Sequence, residues 1–266
     1  MIVTTVNVNG IRAAVKQRST ENLGLLPWLK ESTADVVCLQ ETRADDEQLA
    51  EALAPALADG WNLAAAEPHV KGRNGVAVLS RTPFDAVRIG SGAEEFAAHG
   101  RYIEVDTAGA TVASVYLPTG EAETERQLEK ERFMSAVETR MAALLADGRD
   151  TVLCGDWNIA HTESDIKAWK ANVKKSGFLP AERQWLTDLM STGWVDVVRR
   201  LHPDVAGPYS WWSWRGKAFD NDAGWRIDYH LASPGLAARA VSARVERAEL
   251  YALRWSDHAP VTVEFS

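Results

Sequence analysis

Leu153-Cys154-Gly155-Asp156-Trp157-Asn158 decides how this chain is read: the apolar run Thr151 to Cys154 stops abruptly in an acid and an amide. A short apolar run bounded by turn formers reads as a buried strand, and core packing does not call for Asp and Asn just beyond a glycine. Both residues also cap helices and shape turns, so the stretch by itself is ambiguous. The same event, however, recurs. Ile2 to Val6 gives way to Asn7-Val8-Asn9-Gly10-Ile11-Arg12, Val36 to Leu39 closes on Gln40-Glu41-Thr42, and Thr111 to Tyr116 runs into Leu117-Pro118-Thr119-Gly120. Near the end, Ser256-Asp257-His258-Ala259-Pro260 leads into the alternating strand Val261 to Phe265, with Pro260 suited to a strand's first residue.

Helices and a meander fill the intervals. Leu25, Leu26, Trp28 and Leu29 give Glu21 to Glu31 helical spacing, and Asp45, Asp46 and Glu47 open a helix that Leu49, Leu53 and Leu57 continue. Trp61 to Ala66, Gly75 to Ser80, Arg101 to Val105 and Thr111 to Tyr116 read as successive short strands. A helix then runs to about Ala146, its buried face spaced by Leu128, Met134, Val137, Met141 and Leu144, with Gly148 as a stop. Leu179 to Val198 reads as a helix and a short strand. Tyr209 to Trp214 reads as a strand sending Trp211 and Ser213 to one side and Trp212 and Trp214 to the other, and Arg226 to Ala232 as a strand holding Asp228.

Apolar residues make up 46% and charged residues 25% of the 266, enough for a large core and consistent with one domain over residues 1–266. No apolar stretch reaches the roughly 18 residues of a membrane span, and the chain opens on a strand without a basic and then apolar leader. A cytoplasmic, monomeric protein is the expectation. Cys38 and Cys154 lie in strand-like runs without Cys-x-x-Cys spacing, which predicts two free buried thiols. With 29 basic against 37 acidic residues, the chain lacks a generally adhesive basic coat, which leaves room for a local basic groove.

Asn7, Glu41, Tyr116, Asp156, Asn158, Asp257 and His258 all stand at strand ends, and Asp228 near a strand start; rigid scaffolds usually carry reactive groups there. Several hard oxygens, one imidazole and no thiolate cluster suit Mg²⁺ or Mn²⁺ better than zinc. Such a cation, with amides and an imidazole as donors, matches the charge that builds up during phosphodiester hydrolysis. Competing motifs fail. There is no G-x-x-x-x-G-K-[ST], Gly90-Ser91-Gly92 lacks a third glycine, Asp220-Asn221-Asp222-Ala223-Gly224 is no calcium loop, and no G-x-S-x-G occurs.

The chain resembles the exonuclease III family of AP endonucleases, within the endonuclease/exonuclease/phosphatase superfamily. The resemblance runs nearly end to end. It rests on the segments at Asn7, Glu41 and Asp156 quoted above, on Ser176-Gly177-Phe178-Leu179-Pro180, on Trp225-Arg226-Ile227-Asp228-Tyr229, and on Ser256 to Val261. It implies an α/β fold, a four-layer α/β sandwich of two mixed β-sheets packed face to face and flanked by helices. It also implies a Mg²⁺-dependent nuclease, with Mn²⁺ as substitute, cutting 5′ to abasic sites in duplex DNA and acting on blocked 3′ ends as exonuclease and 3′-phosphatase. The alternative is a phosphoesterase of the same fold acting on inositol or lipid phosphates. By position in the motifs, Glu41, Asn7, Asp156, Asn158 and Asp257 are implied around the metal, and Asp156 and Asn158 at the attacking water. Asp228 would hold His258, Tyr116 would sit against the same phosphate, Trp211, Trp225 and Ile227 would receive the base-less sugar, and Lys170 and Arg73 would follow the DNA backbone. Thr119 and Ala97-Ala98-His99-Gly100-Arg101 depart from the family's usual residues, and His161 is expected in a loop near the phosphate path.

Overall fold

The computed structural model describes residues 1–266. The first two apolar runs form β1 (Ile2–Asn7) and β2 (Val36–Gln40), which pair in parallel with Asn7 opposite Gln40. Between them lie α1 (Ile11–Ala14) and α2 (Leu25–Glu31), the second starting four residues later than the pattern from Glu21 predicts. After α3 (Asp46–Ala58), whose N-terminus is capped by the Asp45 side chain accepting from the Gln48 N–H, come β3 (Asn62–Ala66) and β4 (Val76–Ser80). With two later strands, β11 (Ala240–Val245) and β12 (Val261–Phe265), these make a six-stranded sheet in the order β11-β12-β1-β2-β4-β3.

A second six-stranded sheet is ordered β5-β6-β7-β8-β10-β9. Its members are β5 (Ala86–Ile89), β6 (Tyr102–Thr107), β7 (Ala110–Tyr116), β8 (Thr151–Asp156), β9 (Val195–Asp196) and β10 (Asp228–Ala232). The run of short strands read as one meander is therefore divided: β3 and β4 belong to the first sheet, β5 to β7 to the second. Each sheet contains one parallel pair, β1 with β2 and β7 with β8, and is otherwise antiparallel.

Val3, Val36 and Val78 of the first sheet meet Val105, Val112 and Val152 of the second in a shared apolar layer. The outer face of the first sheet is covered by α1, α2 and α3 through Ile11, Leu25, Leu29, Leu49 and Leu53. The outer face of the second is covered by α4 (Glu125–Asp147) and α5 (Pro180–Ser191) through Phe133, Val137, Met141, Leu186 and Leu189. Central strands β2, β4, β7, β8 and β10 are buried along their whole length. That double coverage is why β2 and β4 read as nearly continuous apolar runs and not as alternating ones. Two shorter helices, α6 (Val197–Leu201) and α7 (Pro234–Ala238), complete the fold. No helix is long and apolar enough to cross a membrane, and Cys38 and Cys154 are free and buried, as expected.

The strand read at Tyr209 to Trp214 does not form; only isolated bridges tie Trp211 to Trp225 and to His258. Trp212 is core beside Phe219 and Ala259, while Trp214, 39% exposed, packs against Tyr251, so strict alternation fails. Edge strands β5 and β11 escaped the sequence reading because they are short and an arginine, Arg88 or Arg244, interrupts the apolar run of each.

Candidate active site

Strand register builds the site before any side chain is considered. Across β7 and β8, Tyr116 lies opposite Asp156; across β8 and β10, Asp228 lies opposite Asp156. In the facing sheet β1 ends on Asn7, and Glu41 follows the last residue of β2. Asp156 thus closes a strand and does not sit in the turn beyond it. Gly155 makes this approach feasible: at φ 151° a Cβ there would lie 1.9 Å from the Val115 carbonyl oxygen. Glu41 and Asn158 both adopt the left-handed conformation at φ 50°. Asn tolerates it, but for Glu41 it is an unfavourable geometry of the kind that clusters at functional sites.

One polar chain of contacts joins the two sheets. The Asn7 amide nitrogen donates to Glu41 Oε1 at 2.8 Å and to Asp156 Oδ2 at 2.9 Å, while its Oδ1 accepts from the Asn9 N–H. His258 Nδ1 pairs with Asp228 Oδ2 at 2.9 Å, and its Nε2 lies 3.7 Å from Asp156 Oδ2. The Asn158 N–H donates to Asp156 Oδ1, and its amide donates to the Leu117 carbonyl at 2.9 Å. Asp257 accepts from the Asn9 amide at 2.8 Å and from the Trp211 indole N–H at 3.1 Å. Glu41, Asp156, Asn158, Asp257 and His258 line one cavity of about 430 Å³, walled on its apolar side by Trp211, Trp225 and Ile227. The two indoles meet edge to face at 6.1 Å, backed by Ile166 and Phe178.

Electrostatics there are unbalanced. Burial pushes the Asp156 carboxyl up to about 7, and Asp228 and Glu41 add to the rise while His258 opposes it. For His258 burial acts downward but is outweighed by Asp228 and Asp156, which hold the imidazole in its charged form well above the usual range. Burial, with Glu41 and Asp156 close by, keeps the Tyr116 phenol protonated, and the Arg101 guanidinium stands 5.0 Å over its ring. The donor set fits a divalent cation: four carboxylates, Glu41, Asp156, Asp228 and Asp257, face only two cations there, Arg43 on Glu41 and His258 on Asp228, and the buried Asp228 Oδ1 has no partner. Hard carboxylate oxygens in excess of positive charge are what such an ion requires. Asn7, as oriented by Asn9, turns its nitrogen and not its oxygen toward the carboxylates, so it holds the acids together.

Several expected residues stand elsewhere. Lys170 is exposed with its ammonium over the Trp169 ring at 5.4 Å, and Arg73 is exposed; neither lines the cavity. Lys175 and Thr119 do. His161 turns toward α5, its Nε2 2.7 Å from Thr187 Oγ1. Sequence reasoning missed Arg43, whose Nε donates to Glu41 Oε2 at 2.9 Å, and Asn9, whose amide donates to Asp257. Arg43 follows the Gln40-Glu41-Thr42 segment directly, and a basic residue beside a candidate metal acid was the signal available.

A two-sheet sandwich whose strand ends gather carboxylates, amides and an aspartate-held imidazolium defines a phosphoester hydrolase. Comparison with known proteins narrows the class. Residues 4–258 match the Endonuclease/Exonuclease/phosphatase family. The chain is 36% identical to an exodeoxyribonuclease of Bacillus subtilis (strain 168), over 96% of this chain and 95% of that one. The 3′ phosphatase NExo from Neisseria, solved bound to a product DNA hairpin, superposes with a TM-score of 0.90 at 31% identity, covering 100% of this chain and 99% of the other. An AP endonuclease from Archaeoglobus fulgidus gives 0.89 at 28% identity, with the same coverage. The chain belongs to the endonuclease/exonuclease/phosphatase family, among its exonuclease III-like members, and is a phosphodiester hydrolase. The family is metal-dependent, typically through divalent cations.

Proposed function

We propose that this chain is a Mg²⁺-dependent DNA repair nuclease that hydrolyses duplex DNA 5′ to abasic sites and trims blocked 3′ ends as a 3′–5′ exonuclease and 3′-phosphatase, working as a cytoplasmic monomer. The observation that carries the reading is the unbroken contact path Glu41–Asn7–Asp156–His258–Asp228 at the mouth of a tryptophan-walled cavity. Glu41 and Asp156, with Asp257 beside them, would hold the ion, Mn²⁺ serving as substitute. When bound, the cation supplies positive charge against the oxygens that become more negative as the phosphodiester breaks.

Each remaining role is the one the family resemblance implies, and the residue's surroundings support it. His258, oriented through Nδ1 by Asp228, offers Nε2–H to a non-bridging phosphate oxygen. Asp156, brought toward neutrality by burial, takes a proton from the attacking water at ordinary pH. Asn158, fixed by Leu117 and Asp156, orients that water, and the protonated Tyr116 phenol donates to the same phosphate. Trp211, Trp225 and Ile227 accept a sugar without a base, whose extrusion costs less stacking than that of an intact nucleotide.

The test is a duplex carrying one abasic analogue, incubated with Mg²⁺ or with chelator. A nick on the 5′ side of the lesion that needs the metal is expected. No such nick, together with turnover of an inositol or lipid phosphate, would transfer the site to small phosphate esters.

A further inference from the structure

Behind the cavity, away from any reacting atom, lies a fully buried ion pair that the mechanism above does not use. Lys130 of α4 is 0% exposed at its side chain and its ammonium lies 2.7 Å from Glu182 Oε1 of α5, itself 1% exposed. The same ammonium donates to the Asn158 carbonyl at 2.9 Å, and Ser176 Oγ stands 3.4 Å away. Glu182 is saturated: its Oε2 accepts from the Gly177 N–H at 2.7 Å and the Leu179 N–H at 3.0 Å, and its Oε1 from Gln127. Gly177 is wedged in turn, since a Cβ there would lie 3.0 Å from the Asn158 carbonyl oxygen and 3.2 Å from the Trp225 ring.

We propose that Lys130 and Glu182 are positioning residues for the reaction, locking left-handed Asn158 and the Ser176-Gly177 turn together so that the strand end and the Trp225 wall keep one fixed spacing. The inference rests on the functional reading above. Buried ion pairs are poor sources of stability, because desolvation of both charges offsets their attraction. A pair retained at that cost, whose remaining hydrogen-bond capacity is spent on the backbone of two segments lining the cavity, has geometry as its product. Neither side chain reaches the cavity, so both act through Asn158 and Gly177.

The test uses the full chain with Lys130→Gln, Glu182→Gln, and the double variant Lys130→Met with Glu182→Gln, which leaves no unpaired buried charge. On the abasic duplex, kcat is expected to fall about 10- to 100-fold, the scale of a small misplacement of reacting groups, while the duplex Kd moves less than about threefold. Hydrogen–deuterium exchange of residues 174–180, measured without DNA, should accelerate. Glu104→Gln, which breaks a buried ion cluster outside the cavity, is the matched control: it lowers the melting temperature and leaves kcat unchanged. A folded double variant with wild-type kcat and unaltered exchange at 174–180 would overturn the proposal, as would a kcat loss in Glu104→Gln of the same size. Should the wild type itself fail to nick the duplex, the functional reading falls, and the exchange measurement still decides whether the pair holds the turn.

Discussion

Two regions of the molecule each bury a carboxylate, Glu104 and Asp156, and treat it in opposite ways. On β6, Glu104 is completely buried and meets the guanidinium groups of Arg88 and Arg140 and the Tyr102 hydroxyl; Asp106 meets Arg88, Arg149 and Thr111. Burial acts to raise Glu104, but the two arginines outweigh it and the carboxyl ends below its ordinary range. Arg88 holds Asp106 lower still. At the strand ends, Asp156 has the same burial, two acidic neighbours and a single imidazolium, and its carboxyl moves up. Burial of an acid therefore does not mark a functional site. Negative charge left without its full complement of positive partners does, since a structural cluster has every reason to neutralise itself.

That contrast breaks if the two regions respond alike to neutralisation. Asp156→Asn should lower kcat on an abasic duplex by about 10³-fold, with a melting temperature that holds or rises, because a neutral amide relieves the crowding of acids. Asp228→Asn should cost about 10²-fold in single-turnover rate, since His258 loses the carboxylate that orients and charges it. Glu104→Gln should do the reverse. Stripping the acid from two arginines should cost about 3 kcal/mol of stability in denaturant titration, with kcat within twofold of wild type. A Glu104→Gln variant that is as stable as wild type but inactive would erase the distinction.

The individual strands and most of the strand-end list were legible because both depend on short-range pattern, whereas the two-sheet sandwich followed only from the family resemblance. Residues 36–39 and 152–154 are apolar throughout, being covered on both faces, and each run gives way to polar residues where its strand ends. Asp156, Asp228 and His258 could be named on that basis. What could not be read was which distant neighbours meet, as when Lys130 reaches Asn158 across 28 positions of chain or Asn9 reaches Asp257 across 248. Lys170 and Arg73 illustrate the converse: a basic side chain in a loop carries no local signal of where it points. The tryptophan run at 211–214 looked like a strand because aromatic residues favour strands, yet Trp211 makes two isolated bridges, Trp212 enters a core pocket and Trp214 packs against Tyr251 instead.

The smallest expected effect compares two imidazoles. His258 keeps its proton because two carboxylates face it; His230, two residues beyond Asp228 on β10, has only the Val3 carbonyl, 3.1 Å from its Nε2, and no partner at Nδ1. Burial lowers His230 to about 4, and the Val3 carbonyl, with the more distant charges of Asp196 and Asp228, only partly opposes this. The folded state therefore holds it neutral while the unfolded chain, near 6.5, takes up a proton first. With the folded value depressed, the stability that this group contributes is intact above about pH 6.5 and is lost as pH falls toward 4. Between pH 7 and pH 5 the loss should be about 2 kcal/mol. Urea titrations at both values, on wild type and on His230→Gln, isolate it, because every other titrating group is common to the pair. An equal pH response in the two proteins would mean that His230 is charged in the fold, and that the absence of a facing carboxylate does not separate the two histidines.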